Sequence, residues 1–357
     1  MARPGVVGHG EWWQARERVE RIAAVAGDDR SIRGAVLEQI RRVIPFDHHV
    51  WVGTDPVTAV GASPLAAVPS LGDLPSLIRL KYLTSVNRWT GLPVDRAVTL
   101  VEATGRDLGR SRLWRELLGG YGVQDVASAV FGDRHGCWGF LDLWRGGPGG
   151  GPFCVAEVDF LTGILPALTR SLRLNAAATF TVPAAAAAPD GPAVLLLTDT
   201  LDPGARTPRT DAQLRALLPT PAGHTPVPAV ALNVAAQLLA VEAGIDFHEP
   251  AARLHQAAGR WVEVRAARLD PEPDRGATIA VTIEPTTPAR RAEIYCRTLG
   301  LTPRETELVG RLVSGADTRQ TARALGIGEQ TVNDHLRAVF AKSGVNSRRQ
   351  LIANATG

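Results

Sequence analysis

Hydrogen-bonding side chains recur on one face of the segment 329–342, EQTVNDHLRAVFAK. At a repeat of 3.6 residues, Gln330, Asn333, Asp334 and Arg337 fall on the side opposite the apolar residues. Amide, carboxylate and guanidinium groups pair with the edges of bases in the major groove of DNA. A helix whose solvent face carries small and hydrogen-bonding residues fits that groove. The pattern therefore predicts a helix that contacts DNA.

A helix with a well-defined start is predicted shortly before this segment. Thr302 can cap it, Pro303 occupies the first helical position, and Glu305 completes a capping box. Gly315 ends the helix, because glycine adopts the left-handed conformation that closes a helix at no steric cost.

Three further helices follow this first one. A short helix over 318–325 stops at Gly326, and a last helix starts at Ser347. Between them, the apolar stripe of the segment 329–342 consists of Val332, Leu336, Val339 and Phe340. Two short helices joined by a tight turn that contains glycine form a helix-turn-helix, so the predicted contact helix is its second member.

Several motifs of this region occur in a fixed order, namely LTPRE, the turn at Gly315, the turn over 322–326, TV-x-x-H-L and SGVNSR. In these motifs the chain resembles the LuxR/FixJ-type helix-turn-helix of transcriptional regulators, over about one sixth of its length. The resemblance implies an all-α, four-helix DNA-binding domain at 300–357 with a recognition helix at about 329–342. It also implies double-stranded DNA as a partner and a homodimer, since one short helix reads few base pairs.

The resemblance also assigns contacts by position. Base contacts fall on Asn333, Asp334 and Arg337, and phosphate contacts fall on Thr318, Thr331, Lys342 and Arg348. The chain departs from the family where the usual Ser cap is Gly328, and where a position that is often basic is Asn333, followed by an acid. Asp334 can accept a hydrogen bond from cytosine N4, or it can hold Arg337 at i+3 and direct its guanidinium towards guanine. Both roles stay open.

Helices and strands are mixed upstream of this domain. Helices are predicted at 12–25, 31–44, 153–174, 210–218, 228–243 and 289–298. Strands are predicted at 48–54, 123–131, 136–144, 193–198, 251–255, 261–269 and 278–284. The order of these elements indicates two α+β units built on antiparallel sheets, at 12–175 and 193–287, with a Pro/Ala-rich linker at 176–192.

The first unit resembles GAF domains, on the segments FDHHVWVGTDP and RLKYLTSVNRW and the strand W-x-F-x-D-x-W. The second unit resembles a PAS-like fold in its element order. The expected fold class is thus multidomain: an α+β GAF-like domain, a smaller α+β PAS-like domain and an all-α helix-turn-helix domain. This arrangement is similar to that of actinobacterial regulators. It implies a sensor region that modulates DNA binding, and both α+β folds can hold a small ligand.

Other chemistry-bearing residues give weaker patterns. His48 and His49 begin a strand and point to opposite faces, which favours capping or surface histidines over shared metal ligation. Cysteines 137 and 154 with His135 match no metal or redox spacing, so buried cysteine is favoured. Five tryptophans could line a pocket for a flat ligand or fill the core: Trp51, Trp89, Trp114, Trp138 and Trp144. No nucleophile elbow, paired carboxylates or Walker motif appears, so we expect no enzyme, no metal and no cofactor.

Composition narrows the class of protein. The formal charge of +3 over 357 residues excludes a polycation that coats nucleic acid along its length. No apolar leader opens the sequence and no apolar stretch favours a membrane span, so a cytoplasmic location is expected. The leading hypothesis is a transcriptional regulator, with RNA polymerase and a small molecule left open as further partners. The alternative is a small-molecule sensor or effector protein in which DNA binding is secondary.

Overall fold

The computed structural model describes residues 9–25, 27–147, 150–181, 193–218, 226–256, 260–270 and 278–357. Its helices are α1 (His9–Ala24), α2 (Asp29–Arg41), α3 (Leu74–Leu83), α4 (Leu100–Ala103), α5 (Val155–Ala178), α6 (Thr210–Leu217), α7 (Ala229–Glu242), α8 (Pro288–Thr298), α9 (Pro303–Val313), α10 (Thr318–Leu325), α11 (Glu329–Ser343) and α12 (Arg348–Thr356). Its strands are β1 (His48–Thr54), β2 (Gly61–Ala67), β3 (Val98–Thr99), β4 (Val123–Asp133), β5 (Gly136–Gly146), β6 (Ala193–Thr198), β7 (Pro203–Arg206), β8 (Ala251–His255), β9 (Trp261–Arg268) and β10 (Thr278–Pro285).

The first sheet, sheet A, is antiparallel and has the order β2-β1-β5-β4-β3. Because side chains alternate along a strand, Val50 and Val52 of β1 lie on one face and Trp51 on the other. Both faces are buried: α1, α2 and α5 contribute to the core on the Trp51 side, and α3 contributes on the other. Because both faces are buried, the central strands are nearly continuous runs of apolar residues.

The second sheet, sheet B, has the order β7-β6-β10-β9-β8, and all its neighbouring strands are antiparallel. Counted along each unit, this is the same arrangement as in sheet A. Helix α7 packs on sheet B and is buried along most of its length, because most of its residues are small or apolar, such as Ala231, Val234 and Ala235. Its polar residues Asn233 and Gln237 are buried as well. Two α+β units on antiparallel sheets were predicted, and this part of the prediction is confirmed.

The two sheet units share one hydrophobic core. Helix α7 also packs against α3 and β2, so Val52 of sheet A and Val234 of α7 belong to one buried cluster. The hydroxyl of Thr58 donates to the carbonyl oxygen of Ala251 at 2.7 Å within this buried contact. The units are therefore packed together through apolar surface, which removes that surface from water and stabilises their mutual orientation.

A buried arginine joins three parts of the chain. Arg253 on β8 donates from Nε to Oδ2 of Asp55 at 2.6 Å and from Nη2 to Oδ1 of Asp55 at 3.0 Å. Asp55 follows β1, and both side chains are almost wholly buried. The remaining nitrogen, Nη1, donates to Oε2 of Glu293 on α8 at 2.8 Å. The three residues form a tie, the Asp55–Arg253–Glu293 tie, that connects sheet A, sheet B and the helix before the C-terminal domain.

The C-terminal helices have their own core, and it begins before residue 300. Tyr295 and Cys296 of α8, together with Phe180, pack in the same cluster as α9 to α12. Phe180 lies in a short 3-10 turn after α5, which itself runs to Ala178. Residues 176–181 are thus helical rather than part of the predicted linker, because the apolar Phe180 has a buried partner surface. The rest of that linker, 182–192, lies outside the described residues.

Candidate nucleic-acid interface

Helix α9 starts as its sequence predicts. The backbone N–H of Glu305 donates to Oγ1 of Thr302 at 3.3 Å, and the backbone N–H of Thr302 donates to Oε2 of Glu305 at 2.7 Å. This reciprocal pair satisfies two backbone donors that the first turn of a helix leaves without partners. Burial raises the pKa of Glu305, but hydrogen bonds from Lys342 and Thr302 outweigh it and hold that pKa below its ordinary value.

The turn between α10 and α11 sets the position of the second helix. Asp317 and Gln320 form a capping box at the start of α10, and Gly326 ends it with a φ of 64°. Only glycine adopts this left-handed conformation without a Cβ penalty. Val332 and Leu336 then anchor α11 in the core, while Gly328, at its N-cap, supplies no side-chain cap.

The predicted base-contacting residues lie together on the exposed face of α11. Asn333, Asp334 and Arg337 are all exposed. Nη1 of Arg337 donates to Oδ1 of Asp334 at 2.5 Å, and Nε2 of Gln330 approaches the same oxygen at 3.4 Å. The side chains of Arg337 and Asp334 are 71% and 56% exposed. The i, i+3 pair in which Asp334 holds Arg337 is therefore present in the chain without DNA. An exposed pair of this kind contributes only about 0–1 kcal/mol to stability.

The four predicted phosphate-contacting residues fall into two groups. Thr331 is exposed in the first turn of α11 and Thr318 is half-buried at the first position of α10. Nζ of Lys342, however, donates to Oε2 of Glu305 at 2.6 Å, and Arg348 donates to the carbonyl oxygen of Ala316. Lys342 connects α11 to α9, and Arg348 connects α12 to the turn between α9 and α10. A phosphate contact from either residue would have to share the donors that make these contacts.

Two cations on α10 were not among the predicted contacts. Arg319 and Arg323 are exposed, and neither forms an ion pair with a residue in the described ranges. The sequence could have indicated these two residues, because both lie on the first helix of the helix-turn-helix. In such motifs that helix crosses the phosphate backbone of DNA. Residues 301–357 carry eight basic and five acidic residues, so the whole net charge of +3 resides in this domain.

The sequence of this region matches a known family. Residues 299–355 match the profile of GerE, the luxR family of bacterial regulatory proteins. The C-terminal domain is of the luxR type. The chain is 37% identical over 59 residues to the probable HTH-type transcriptional regulator GfsR of Streptomyces halstedii. It is 43% identical over 53 residues to the monoamine regulon transcriptional regulator of Klebsiella aerogenes.

Both alignments are short. They cover 16% and 15% of this chain, and 24% and 23% of the two relatives, so the chain matches about a quarter of the length of each. Among solved structures, the bacteriophytochrome RpBphP3 of R. palustris is 13% identical, with a TM-score of 0.32. That alignment covers 79% of this chain and 64% of the bacteriophytochrome.

The histidines and cysteines that the sequence singled out have different surroundings in the structure. His48 packs against Trp144 and His49 against Phe46, each ring edge to face. Cys154 is exposed whereas Cys137 is half-buried, and within the described ranges no three His, Cys, Asp or Glu side chains are grouped to hold a metal. In the same ranges, no helix is both long and apolar enough to cross a membrane.

The five tryptophans divide between two faces of sheet A. Trp51 and Trp138 lie in the core beneath α1, α2 and α5, whereas Trp89 and Trp144 line a cavity on the α3 side. Trp114 is half-buried, packs at the edge of the α3-side core, and donates from Nε1 to the carbonyl oxygen of Val123 at 2.8 Å. The sequence left a pocket and an aromatic core as alternatives, and both occur.

Proposed function

We propose that this chain is a sequence-specific transcriptional regulator that binds double-stranded DNA with α11 in the major groove. The observation that carries the proposal is the exposed set Asn333, Asp334 and Arg337 on the second helix of a luxR-type helix-turn-helix. Asparagine matches adenine and arginine matches guanine, each through two hydrogen bonds. Arg319 and Arg323 on α10 would meet the phosphates beside the groove. The proposal assigns no catalytic step to the chain and places it in the cytoplasm, with DNA.

The protein acts as a homodimer in this proposal. One recognition helix contacts only a few base pairs, so two half-sites about one helical turn apart supply the affinity of a specific complex. The net charge of the domain is modest, which makes base contacts and dimer geometry more important than bulk attraction to phosphate.

The GAF-like and PAS-like assignments belong to the same proposal, and the shared strand order of sheets A and B supports related folds. These units would modulate DNA binding or contact with RNA polymerase, as in actinobacterial regulators.

Binding-site selection with the full chain, followed by titration of the selected duplex, tests the proposal. Arg337→Ala and Asn333→Ala should each weaken binding about 10-fold to 100-fold, the equivalent of about 1–3 kcal/mol for a bidentate base contact, and relax the preference at one position. Arg21→Ala removes one positive charge, as Arg337→Ala does, but at an exposed site of α1, and it should leave the affinity for DNA unchanged. A chain that selects no sequence, or variants that select the original sequence with original affinity, would contradict the proposal.

The role of Asp334 follows from the same selection. If Asp334 orients Arg337, Asp334→Ala should relax the same base pair as Arg337→Ala, and the double variant should be no weaker than Arg337→Ala alone. If Asp334 accepts from cytosine, a different base pair should relax and the two effects should add. An unchanged preference for Asp334→Ala would exclude both roles.

Arg319 tests the phosphate contacts separately. Arg319→Ala should weaken binding to all sequences alike and lower the dependence of log K on log salt by about one. Glu307→Gln is a control on the exposed surface of α9, because it removes the partner of Arg304 rather than a groove-facing cation. An unchanged salt dependence for Arg319→Ala would exclude Arg319 from the phosphate contacts.

A further inference from the structure

A cavity of about 280 Å³ lies between sheet A and α3. Its walls are mostly apolar and include Val126, Leu77 and the two tryptophans Trp89 and Trp144. Helix α7 of the second unit also contributes to the wall, through Asn233. For comparison, an apolar cavity of roughly 150 Å³ is large enough to bind benzene. The space therefore fits a molecule of one or two rings.

The polar end of this cavity contains a charge pair that is already compensated. Nζ of Lys81 lies 2.9 Å from Oδ2 of Asp142, and both side chains are 5% exposed. Nζ also donates to the carbonyl oxygen of Asn87 at 2.9 Å and lies 5.1 Å from the ring centre of Trp89. A further charge beside this compensated pair would be desolvated without a counter-ion, so this end of the cavity favours an uncharged ligand. The other charged residue of the wall, Arg30, is exposed and donates to the carbonyl oxygen of Pro64.

A chain of hydrogen bonds fixes the orientation of the Asn87 amide. Asp142, paired with Lys81, can only accept, so the hydroxyl of Ser128 must donate to its Oδ1, at 2.6 Å. That hydroxyl then accepts from Nδ2 of Asn87 at 2.9 Å. The amide oxygen of Asn87 is left as a buried acceptor without a partner among the described residues.

Two nearly wholly buried residues of the wall also have unpartnered polar atoms within the described ranges. Nε1 of Trp89 is a donor of this kind, and its ring is stacked on Phe140 with centroids 5.2 Å apart. Oδ1 of Asn233 is an acceptor of this kind, since its Nδ2 donates to the carbonyl oxygen of Ala229. Buried polar groups in proteins are normally paired, so three such atoms around one cavity indicate a partner that is not part of the chain.

We propose that this cavity is a binding site for a small, uncharged, ring-containing molecule that carries a hydroxyl group. The ring fills the apolar space beside Trp89 and Trp144. The hydroxyl has one donor, which we assign to the amide oxygen of Asn87, and it supplies the acceptor that Nε1 of Trp89 lacks. Because Asn233 belongs to α7, the ligand contacts both sheet units. Binding itself does not depend on the proposed role in transcription.

Calorimetric titration of the full chain with 2-naphthol, and parallel titration with naphthalene and 2-methoxynaphthalene, tests the site. We expect saturable binding of one 2-naphthol per chain, quenching of tryptophan fluorescence, and at least 10-fold weaker binding of the two molecules that cannot donate. Absence of 2-naphthol binding would overturn the proposal, since the buried polar atoms would then be satisfied by water alone. Equal binding of naphthalene would overturn the assigned ligand class.

Two matched variants on β4 locate the site. Val126→Phe places a ring in the cavity and should abolish 2-naphthol binding, whereas Val130→Phe lies on the same face outside the cavity wall and should retain it. Circular dichroism and melting curves establish that each variant is folded. Asn87→Ala, which removes the unpartnered acceptor, should weaken 2-naphthol at least 10-fold and leave naphthalene unaffected. Binding of 2-naphthol that survives Val126→Phe in a folded protein would place the probe elsewhere and overturn the proposal.

Discussion

Sheets A and B have the same strand order, yet their covered faces are filled differently. The α3 side of sheet A contains the Lys81–Asp142 pair and a cavity of about 280 Å³. On sheet B, α7 presents alanines such as Ala231 and Ala235, both wholly buried, in the shared core. Small side chains let a helix approach a sheet closely, whereas a buried charge pair requires polar neighbours and space for them. Two units with one strand order can therefore differ in which side chains fill the space between the sheet and its covering helix.

The largest effect is expected from removing one half of the charge pair in sheet A. Lys81→Met leaves Asp142 buried without its cation, which should lower the free energy of unfolding by about 3–5 kcal/mol in urea denaturation. The double variant Lys81→Met/Asp142→Leu should recover most of this loss, because neither charge is then buried alone. Lys342→Met is the control, with a side chain that is 35% exposed, and should cost less. A Lys81→Met loss no greater than the control's would contradict the expectation that burial makes the Lys81–Asp142 pair costly to break.

The second-largest effect on stability is expected from enlarging one buried side chain in each unit. Ala235→Leu on α7 has no space to occupy and should cost about 1–3 kcal/mol of unfolding free energy. Val126→Ile extends into the cavity of sheet A and should change stability by less than about 1 kcal/mol. Ala24→Leu, at an exposed site of α1, controls for the helical substitution itself. Equal losses for Ala235→Leu and Val126→Ile would show that sheet A is as tightly packed as sheet B.

Acid should affect both sheets in the same direction. Burial, helped by Arg41, lowers the pKa of His49 on β1 to about 4, and burial also lowers the pKa of His255 on β8. An unfolded histidine titrates near 6.5, so between pH 6.5 and pH 4 the unfolded chain binds protons that the folded chain does not. Stability should therefore fall as the pH is lowered through this window. Melting temperatures measured at several pH values should fall less steeply with decreasing pH in His49→Gln and in His255→Gln than in the unchanged protein. An unchanged slope in either variant would show that this histidine does not contribute to the acid sensitivity.

The smallest effect is expected at the rim of sheet B. Arg268 on β9 pairs with Glu242 and Asp199, and all three side chains are at least 28% exposed. Since solvent screens such pairs, Arg268→Ala should lower the unfolding free energy by less than about 1 kcal/mol, and less again in high salt. Denaturation at two salt concentrations measures this directly. A loss comparable to that of Lys81→Met would mean that burial does not explain the difference between the two charge clusters.

The elements with strong local signals were predicted well. Strands β1, β6 and β8 and helix α10 begin and end at the predicted residues. Each has either a compact apolar run between turn residues or a capping residue followed by a glycine stop. Helix α11, predicted at about 329–342, has an amphipathic signal: one of its faces is packed and the other is exposed over fifteen residues.

The missed elements have weak or misleading signals. Strand β2, GASPLAA, contains Pro64 and several small exposed residues, and it is held by its pairing with β1 and its packing against α7. Helix α3 carries Lys81, whose charge predicts an exposed face although the side chain is buried against Asp142. Strand β7 is exposed throughout and has the composition of a turn. In each case contacts with another element, which the segment's own sequence does not reveal, supply the stability.

The cavity could not have been predicted from spacing. Lys81 and Asp142 are distant in sequence, and only strand register places Trp144 of β5 on the cavity face and Trp51 of β1 on the other. A one-residue change of register would exchange those faces. Tryptophan content indicated an aromatic core or a pocket, but the choice between them depended on the folded sheet.

The Asp55–Arg253–Glu293 tie has a consequence for how the chain can be divided. A fragment that ends before sheet B would keep the Asp55 side chain, which is 0% exposed in the full chain, without its arginine. A fragment that ends before α8 would keep the pair but lose Glu293. Cooperative units follow buried contacts rather than sequence boundaries. The two sheet units should therefore unfold in a single calorimetric transition, and they are best produced as one piece that includes α8.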